Sequence, residues 1–539
     1  MLSNRFSSNI FRFAAALGGI ASAALALSVG ELIASINSKT ASLVLGVGEL
    51  IVDTAPGGLI RQSIETLGTS QKTILLSSIV VLTLLFGSFL GLLLLVKPTL
   101  SKIIFTFFGI FGAWSVARNP LTSIPLSLTL ALISTLSGLL ALTFFERLLK
   151  NSEVSNIEDP RMTYSDRRQF FGWATGMSLA AGSITGIGHF LIKDDGITVA
   201  RKNLTLPKIL KENTSTTNPQ IDSSSSSTTS TTLPTQELQS LNIQDVDGLS
   251  PYITPNNDFY RIDTALRLPT VDPQNWSLKI NGFVENPIEI TYQDVLEMNL
   301  VEKAVTLACV SNEVGGSLVG NAIWTGVPLT EIIKLAEPLQ EAEQVMCTSV
   351  DGFTAGFPLQ NLFDGRTALL AIGMNGEPLP ILHGFPARLV VAGLYGYVSA
   401  VKWIERIELT AWEGRNGFWI PRGWSKEAPV KIASRIDVPK SRKIESGLQA
   451  VAGVAWAPNS GVNKVEISID DGPWELCELG LSITGESWVQ WLYSWKALPG
   501  RYKIRVRATD NRGQKQSSNV VNSAPNGAEG YDEVSVRVV

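Results

Sequence analysis

Apolar and polar positions are unevenly spread along the 539-residue chain: long uncharged apolar runs crowd the first third, and the remainder alternates as soluble protein does. A helix crossing a bilayer needs about 20 apolar residues. Residues 13–36, 73–96 and 121–145 reach that length. A shorter run, 103–117, is bounded by Lys102 and Arg118, which can snorkel to the interfaces. Residues 170–192 form a fifth run, weaker and rich in Gly and Ala. Residues 42–64 are apolar but interrupted by Glu49, Asp53 and Pro56-Gly57-Gly58, and are expected to lie on the surface as a loop. The pattern predicts about four spans within residues 1–150 and a fifth within 160–193. Glu31, near one end of the first span, reads as an interfacial carboxylate.

Positive charge orients these spans. Arg5 and Arg12 precede the first; Lys97 and Lys102 lie between the second and third; Arg147, Lys150, Arg161, Arg167 and Arg168 lie between the fourth and fifth. Five crossings with the N-terminus inside put all three clusters in the cytoplasm. Everything after residue 193 is then outside. The stretch Asp166-Arg167-Arg168-Gln169-Phe170-Phe171 resembles a twin-arginine export signal, with Asp166 where Ser or Thr is usual and Gly172 where Lys is usual. No A-x-A cleavage site follows, so the run is expected to remain as an anchor.

Residues 194–240 contain a Ser/Thr-dominated stretch that cannot bury a core and reads as a tether. From 241 to 439, Gly- and Pro-punctuated short strands with a few helices, such as 330–336, predict a mixed α+β domain. From 440 to 539 the strand-like runs 450–457, 464–469, 488–496 and 502–509 alternate with turn sequences, which predicts an immunoglobulin-like β-sandwich.

Charge and composition then narrow the chemistry. With 44 basic and 48 acidic residues, no nucleic-acid partner is indicated. Three dispersed cysteines (Cys309, Cys347, Cys477) and two histidines (His189, His383) supply too few ligands for a bis-histidine haem, a zinc site or an iron–sulfur cluster. No haem is expected.

Cys309 ends an apolar strand, 304–307, and enters the loop Val310-Ser311-Asn312-Glu313-Val314-Gly315-Gly316. A free cysteine in such a place is more often inert core than a reactive group. The stronger signal is His383-Gly384-Phe385-Pro386-Ala387-Arg388, leading into an apolar strand and then to Ala400-Val401-Lys402-Trp403. Gly and Pro allow close backbone approach to a ligand, and His, Arg and Lys bring donors suited to phosphate.

These motifs resemble the sulfite oxidase family of molybdopterin-dependent oxidoreductases, and the resemblance covers the chain after the linker. It implies a molybdopterin-binding domain of sulfite oxidase type followed by the family's sandwich domain, through which some members form homodimers. It also implies a molybdenum cofactor, with Cys309 supplying the metal's protein thiolate. His383, Arg388 and Lys402, with backbone around Ala400 and Val401, would hold the pterin and its phosphate. Asn257, Tyr260 and Arg261 would line its other side, with Ser349 assigned from its place before Asp351-Gly352.

The departures from the family pattern bear on substrate. The usual loop after the cysteine is Ala-Gly-Asn-Arg-Arg; here Asn312 is kept, and Glu313 and Val314 replace both arginines. Trp424, in Gly417-Phe418-Trp419-Ile420-Pro421-Arg422-Gly423-Trp424, falls where the family's metal-proximal tyrosine would stand. Arg261 and Arg422 are the positive charges left to assist an oxyanion. The expected protein is a multi-pass enzyme of the cytoplasmic membrane with its C-terminal domains outside. It would transfer an oxygen atom on a sulfite-like or sulfoxide-like substrate and exchange electrons with a separate redox partner. The alternative is a non-enzymatic surface binding protein with a degenerate cofactor fold.

Overall fold

The computed structural model describes the backbone of residues 2–36, 40–67, 70–154, 164–191, 197–207, 243 and 246–539. Side chains are described within these from residue 11 onward, apart from 60–61, 64–65, 151–167 and 184–191. Most of the Ser/Thr-rich linker and the side chains of Arg167 and His189 therefore lie outside the described residues. The chain divides into two compact units, Met1–Thr198 with Ala265–Thr270, and Val199–Thr264 with Val271–Val539.

The first unit is helical: α1 (Leu2–Ile36), α2 (Leu43–Thr54), α3 (Gly57–Leu67), α4 (Gln71–Leu94), α5 (Pro98–Ala117), α6 (Ile124–Val154) and α7 (Tyr164–Leu191). Four helices are long and apolar enough to cross a membrane: Phe11–Ile36, Gln71–Leu94, Pro98–Ala117 and Ile124–Lys150, of 26, 24, 20 and 27 residues. The short run at 103–117 gains its length by starting at Pro98, whose missing N–H costs nothing in a helix's first turn. Large apolar side chains such as Leu82, Leu85, Phe107, Ile110, Leu132 and Leu140 remain exposed on α4, α5 and α6. Helix α7 covers the fifth apolar run, and Phe170 and Ala174 bury against Ala14 and Phe145.

The segment at 42–64 is not a surface loop but the helices α2 and α3, separated at Pro56. Ser42 caps α2 by accepting from Leu45 N at 3.2 Å. Gly46 lets α2 lie directly on α5, where a Cβ would stand 2.6 Å from Val116 Cγ2. Glu49, which breaks the apolar run in sequence, accepts a hydrogen bond from Asn119 Nδ2.

Helix α1 packs against α4, α6 and α7. Where α1 meets α4 the backbones nearly touch: a Cβ on Gly19 would lie 2.0 Å from Gly87 O, and one on Gly91 2.0 Å from Ala15 O. Gly87-x-x-x-Gly91 is the small-residue spacing that permits such approach. Gly91→Leu should therefore destabilise the bundle by about 1–3 kcal/mol, the usual cost of overpacking. Thermal unfolding in detergent would register it, and an unchanged midpoint would contradict the close crossing.

The second unit carries β1 (Ser277–Gly282), β2 (Ile288–Thr291), β3 (Val301–Ala308), β4 (Val319–Pro328), β5 (Gln344–Ser349), β6 (Thr354–Pro358), β7 (Ala368–Met374), β8 (Glu377–Pro378), β9 (Arg388–Val391) and β10 (Ile404–Thr410). They form two sheets, ordered β2-β1-β10-β5-β6 and β3-β4-β7-β8, with β9 on β7. Only the β1–β10 pairing is parallel among these strands. Strands β5 and β7 are buried at every position, as strands covered on both faces must be.

Nine further strands complete the chain: β11 (Ala433–Val438), β12 (Lys443–Ile444), β13 (Gly447–Trp456), β14 (Val462–Ile469), β15 (Glu475–Leu476), β16 (Glu478–Leu479), β17 (Val489–Ala497), β18 (Gly500–Asp510) and β19 (Asp532–Val538). They make two sheets, β11-β13-β17-β16 and β12-β19-β18-β14-β15, packed over one core that includes Val451, Val465, Trp491, Val506 and Val536. This sandwich also contributes Val454, Trp456 and Trp488 to the core of the preceding domain. There Trp488 Nε1 donates to Tyr252 O at 2.8 Å, and Ile483 N donates to Tyr252 Oη at 3.0 Å.

Candidate cofactor site

Cys309 is the first residue beyond β3. Its N–H still donates across to Leu318 O at 2.9 Å, so the strand geometry fixes its Cα. The loop then closes on itself: Asn312 N donates to Cys309 O at 3.0 Å, and Asn312 Oδ1 accepts from Leu318 N at 2.7 Å. Asn312 is thus a structural clasp. Tyr260 and Tyr395 lie within electrostatic reach of the sulfur. Burial pushes the Cys309 thiol up, and hydrogen bonds from the Ser311 amide and hydroxyl oppose that by favouring thiolate. Burial likewise raises both phenols, Tyr395 to about 12.

His383, Arg388 and Lys402 converge because Gly384 adopts φ +109°. A Cβ there would meet Arg388 Cβ at 3.0 Å and Lys402 Cα at 3.1 Å, so only glycine permits the approach. His383 Nε2 lies 2.9 Å from Asn256 O. A carbonyl only accepts, so Nε2 carries the proton and Nδ1 is the ring's acceptor. Burial lowers the imidazole to about 4, with Arg388 and Lys402 adding to the shift, so the ring is neutral near pH 7.

That shift has a sign. Unfolded, the ring titrates near its ordinary 6.5; folded, near about 4. Between these values the unfolded chain binds the extra proton, so stability is full above the higher value and falls as pH drops toward the lower. The slope is at most about 1.4 kcal/mol per pH unit, or about 3 kcal/mol in all. In cofactor-free protein, His383→Gln should remove that part of the acid sensitivity. Urea unfolding of both proteins across this window would check it, and parallel curves would refute it.

Arg388 is buried, with the guanidinium stacked 4.9 Å from the Trp324 ring centroid. It donates only to carbonyls, His383 O at 3.1 Å and Leu389 O at 3.3 Å, and no carboxylate pairs with it among the described residues. Burial lowers it to about 10. A buried cation without an anion is costly unless something supplies the negative charge. Lys402 is buried too, held by Asp263 Oδ2 at 2.8 Å and Leu382 O at 3.2 Å, and burial lowers it to about 8. Asp263 also takes Arg261 Nε at 2.9 Å, so Arg261 is engaged by a carboxylate. Trp403 takes the left-handed φ of +50°, uncommon for a non-glycine residue, and its ring lies 4.5 Å from the Lys402 ammonium.

The remaining predicted positions divide. Ser349 is buried at the end of β5 and hydrogen-bonds Asp351, whose carboxyl is raised by burial. The Val401 carbonyl is taken by Leu389 N at 2.9 Å, and the Ala400 amide donates to Gly396 O at 3.0 Å. Gly396 opens space in front of Tyr260: a Cβ there would sit 3.8 Å from its hydroxyl and 3.9 Å from Ala308 O. Asn257 is exposed and makes no hydrogen bond among the described residues. Its neighbour Asn256 does the positioning, through His383 and by accepting from Asn375 Nδ2 at 2.8 Å. Arg422 donates to Phe418 O at 2.7 Å, its guanidinium 3.6 Å from the Phe418 ring centroid. Trp424 packs in the core against Tyr397, its indole N–H buried without a hydrogen-bond partner among the described residues. Residue type alone did not single out Asp263, Asp351, Tyr395 or Asn256.

The donor set fits a molybdopterin. It offers a soft sulfur on a rigid loop, a buried guanidinium lacking an anion, a neutral imidazole and a glycine-lined gap between them.

Comparison with known proteins agrees with this chemistry. Residues 265–419 match the oxidoreductase molybdopterin binding domain family. The uncharacterized oxidoreductase YuiH of Bacillus subtilis (strain 168) is 36% identical over 153 residues, which cover 28% of this chain and 74% of that protein. Mitochondrial sulfite oxidase of Macaca fascicularis is 30% identical over 273 residues, covering 42% of this chain and 49% of that protein. The chain therefore spans about half the length of that sulfite oxidase. Among solved structures, sulfane dehydrogenase SoxCD from Paracoccus pantotrophus is similar at 20% identity with a TM-score of 0.48, over 61% of this chain and 95% of that one. The domain match and the sequence relatives lead to one assignment: the chain belongs to the sulfite oxidase family of molybdopterin-dependent oxidoreductases.

Proposed function

We propose that the protein is a membrane-anchored oxidoreductase whose molybdenum centre, outside the cytoplasm, transfers an oxygen atom on a small oxo substrate. Electrons are exchanged with a separate redox partner. The observation that carries this is Arg388: a buried guanidinium with no carboxylate partner among the described residues, beside His383 and Lys402 and sharing Tyr260 as a neighbour with Cys309, is arranged for a bound anion. In this reading Cys309 provides the metal's protein sulfur, Arg388 and Lys402 hold the phosphate, and His383 Nδ1 accepts a hydrogen bond from the pterin. When bound, the cofactor supplies the two-electron oxygen-atom chemistry. The chain's own part is to orient it, to keep water from its buried face and to present substrate beside Cys309. Tyr260 and Tyr395, both held protonated by burial, are donors near that sulfur.

The membrane location is supported by the four long apolar helices and their exposed apolar faces. The export side is supported by the positive-charge pattern and by Arg167-Arg168 in the opening turns of α7, which this reading takes as the fifth crossing. We read the two-sheet domain as immunoglobulin-like, and as the surface through which a homodimer would form. For substrate, Glu313 is exposed and has no ion pair among the described residues, which disfavours an oxyanion at that loop.

Metal analysis of the full chain purified in detergent tests the reading. About one molybdenum per chain is expected; a folded, metal-free protein from cells that make the cofactor would sink it. In the same cells, Arg167→Lys with Arg168→Lys should leave the C-terminal domains inaccessible to external protease.

A further inference from the structure

From Val199 onward the chain already belongs to the second unit. A short helix, α8 (Ile197–Asn203), runs into residues 204–207, where Leu204 and Leu206 pack against the core of the cofactor domain. Gly373 of β7 makes room for this: a Cβ on it would stand 2.5 Å from Leu206 Cδ1. Beyond the Ser/Thr-rich stretch, Ile243 N donates to Gln490 Oε1 at 2.8 Å. Both flanks of that stretch are therefore seated on the same unit, and the chain ahead of it is part of the cofactor domain.

Within this segment Arg201 grips the end of β8. Its Nε donates to Leu379 O at 2.7 Å and to Pro378 O at 3.1 Å. Its Nη2 donates to Pro378 O at 2.7 Å and pairs with Glu377 Oε2 at 3.0 Å. One guanidinium thus holds three consecutive residues, a task for its planar fork and not for a point charge.

Two routes lead from this grip to His383. Along the backbone, Leu379 is followed by Pro380, whose carbonyl accepts from His383 N at 2.8 Å. Through side chains, Glu377 Oε1 accepts from Asn256 Nδ2 at 2.5 Å. Asn375 Nδ2 holds Asn256 Oδ1 at 2.8 Å, and the Asn256 carbonyl lies 2.9 Å from His383 Nε2. The first route fixes the root of the imidazole and the second fixes its tip.

We propose that Arg201 is a positioning residue of the cofactor site: by holding Glu377–Leu379 it keeps Asn256 and His383 in register, so that the imidazole carries its proton on Nε2 and presents Nδ1. Which nitrogen of a neutral imidazole is protonated is set by the hydrogen bonds the ring makes. Loosening the Asn256 carbonyl therefore frees the ring to exchange forms. Arg201 lies outside residues 265–419, which match the molybdopterin-binding family, so this brace comes from chain that follows the membrane helices. The inference rests on the reading of His383 as the pterin's hydrogen-bond partner and adds the residue that aims it.

Histidine nitrogen resonances of the cofactor-free full chain test it near pH 7, where His383 is neutral. The chain has two histidines, and His189→Gln leaves one imidazole to observe. In that background His383 should show a single Nε2–H form. Arg201→Met and Glu377→Ala should each raise the share of the Nδ1–H form at least about tenfold, the weight of one charge-assisted hydrogen bond. Arg201→Lys, which keeps the charge without the fork, should fall between. Glu377 is half exposed, so its variant covers the case in which Arg201→Met does not fold. A merely structural role for Arg201 would lower the unfolding midpoint and leave the imidazole in one form. That result in both variants, or mixed forms before either change, would overturn the inference. In cells that make the cofactor, Arg201→Met should also lose molybdenum about tenfold faster on dialysis. Mixed imidazole forms with native metal retention refute the bond between His383 and the pterin, whereas a single form throughout refutes only the role of Arg201.

Discussion

Cys309→Ser is expected to lower turnover by more than about 10²-fold, beyond the range that changes to outer-shell partners of a metal produce. Serine is nearly isosteric, the backbone bonds that hold this residue, N–H to Leu318 and C=O from Asn312, do not involve its side chain, and a hydroxyl can still accept from Ser311. The fold should therefore survive, with unfolding midpoints close to the native protein's. What changes is the donor: a hydroxyl ionises far less readily than a thiol and is a harder ligand for a metal suited to soft sulfur. Turnover per bound molybdenum, measured beside thermal unfolding, separates the two effects. A serine variant with native turnover per metal would remove Cys309 from the chemistry.

The second large effect belongs to Arg388→Met, and its sign depends on whether the cofactor is present. In the cofactor-free chain the guanidinium is buried without an anion, and methionine of similar length relieves that desolvation. Against this, the carbonyls of His383 and Leu389 lose a donor at about 1 kcal/mol each. Stability of the empty protein should thus move little. With the cofactor bound, the variant loses at least one charge-assisted hydrogen bond of about 1.5–3 kcal/mol, or roughly 10–100-fold in affinity. The gap in unfolding temperature between molybdenum-replete and cofactor-free protein should narrow accordingly. Equal metal retention by variant and native protein after prolonged dialysis would count against a phosphate at Arg388. Arg388→Lys, which keeps charge without the planar fork, should fall between them.

Much of this architecture could be read from residue order because the signals are local. Apolar runs of helix-spanning length, alternating strands such as β14, and His383-Gly384-Phe385-Pro386-Ala387-Arg388 each announce themselves within a few positions. What stayed hidden depends on partners distant in sequence. Glu49 interrupts an apolar run on paper, yet Asn119 receives it and α2 forms. Asp263 bridges Arg261 and Lys402, the latter 139 positions away, and nothing near it marks that duty. The pair Asn256-Asn257 offered two equivalent amides, and only the fold distinguishes the positioning residue from the exposed one. Trp424 was matched to a family tyrosine by linear correspondence, but it packs against Tyr397, whereas Tyr395 lies close to Cys309.

The indole of Trp488 and the ring of Tyr252 are each sealed by an atom from the other domain, inside a core that neither owns alone. Cutting the chain ahead of β11 would strip a lid from Tyr252 and Val319 and strand the Trp488 donor. The two modules are therefore poor candidates for separate inheritance: recombination that swapped one for a distant counterpart would have to carry a matching half-core with it. Loss of the C-terminal hundred residues should behave as a folding defect of the whole soluble part, not as the removal of an accessory.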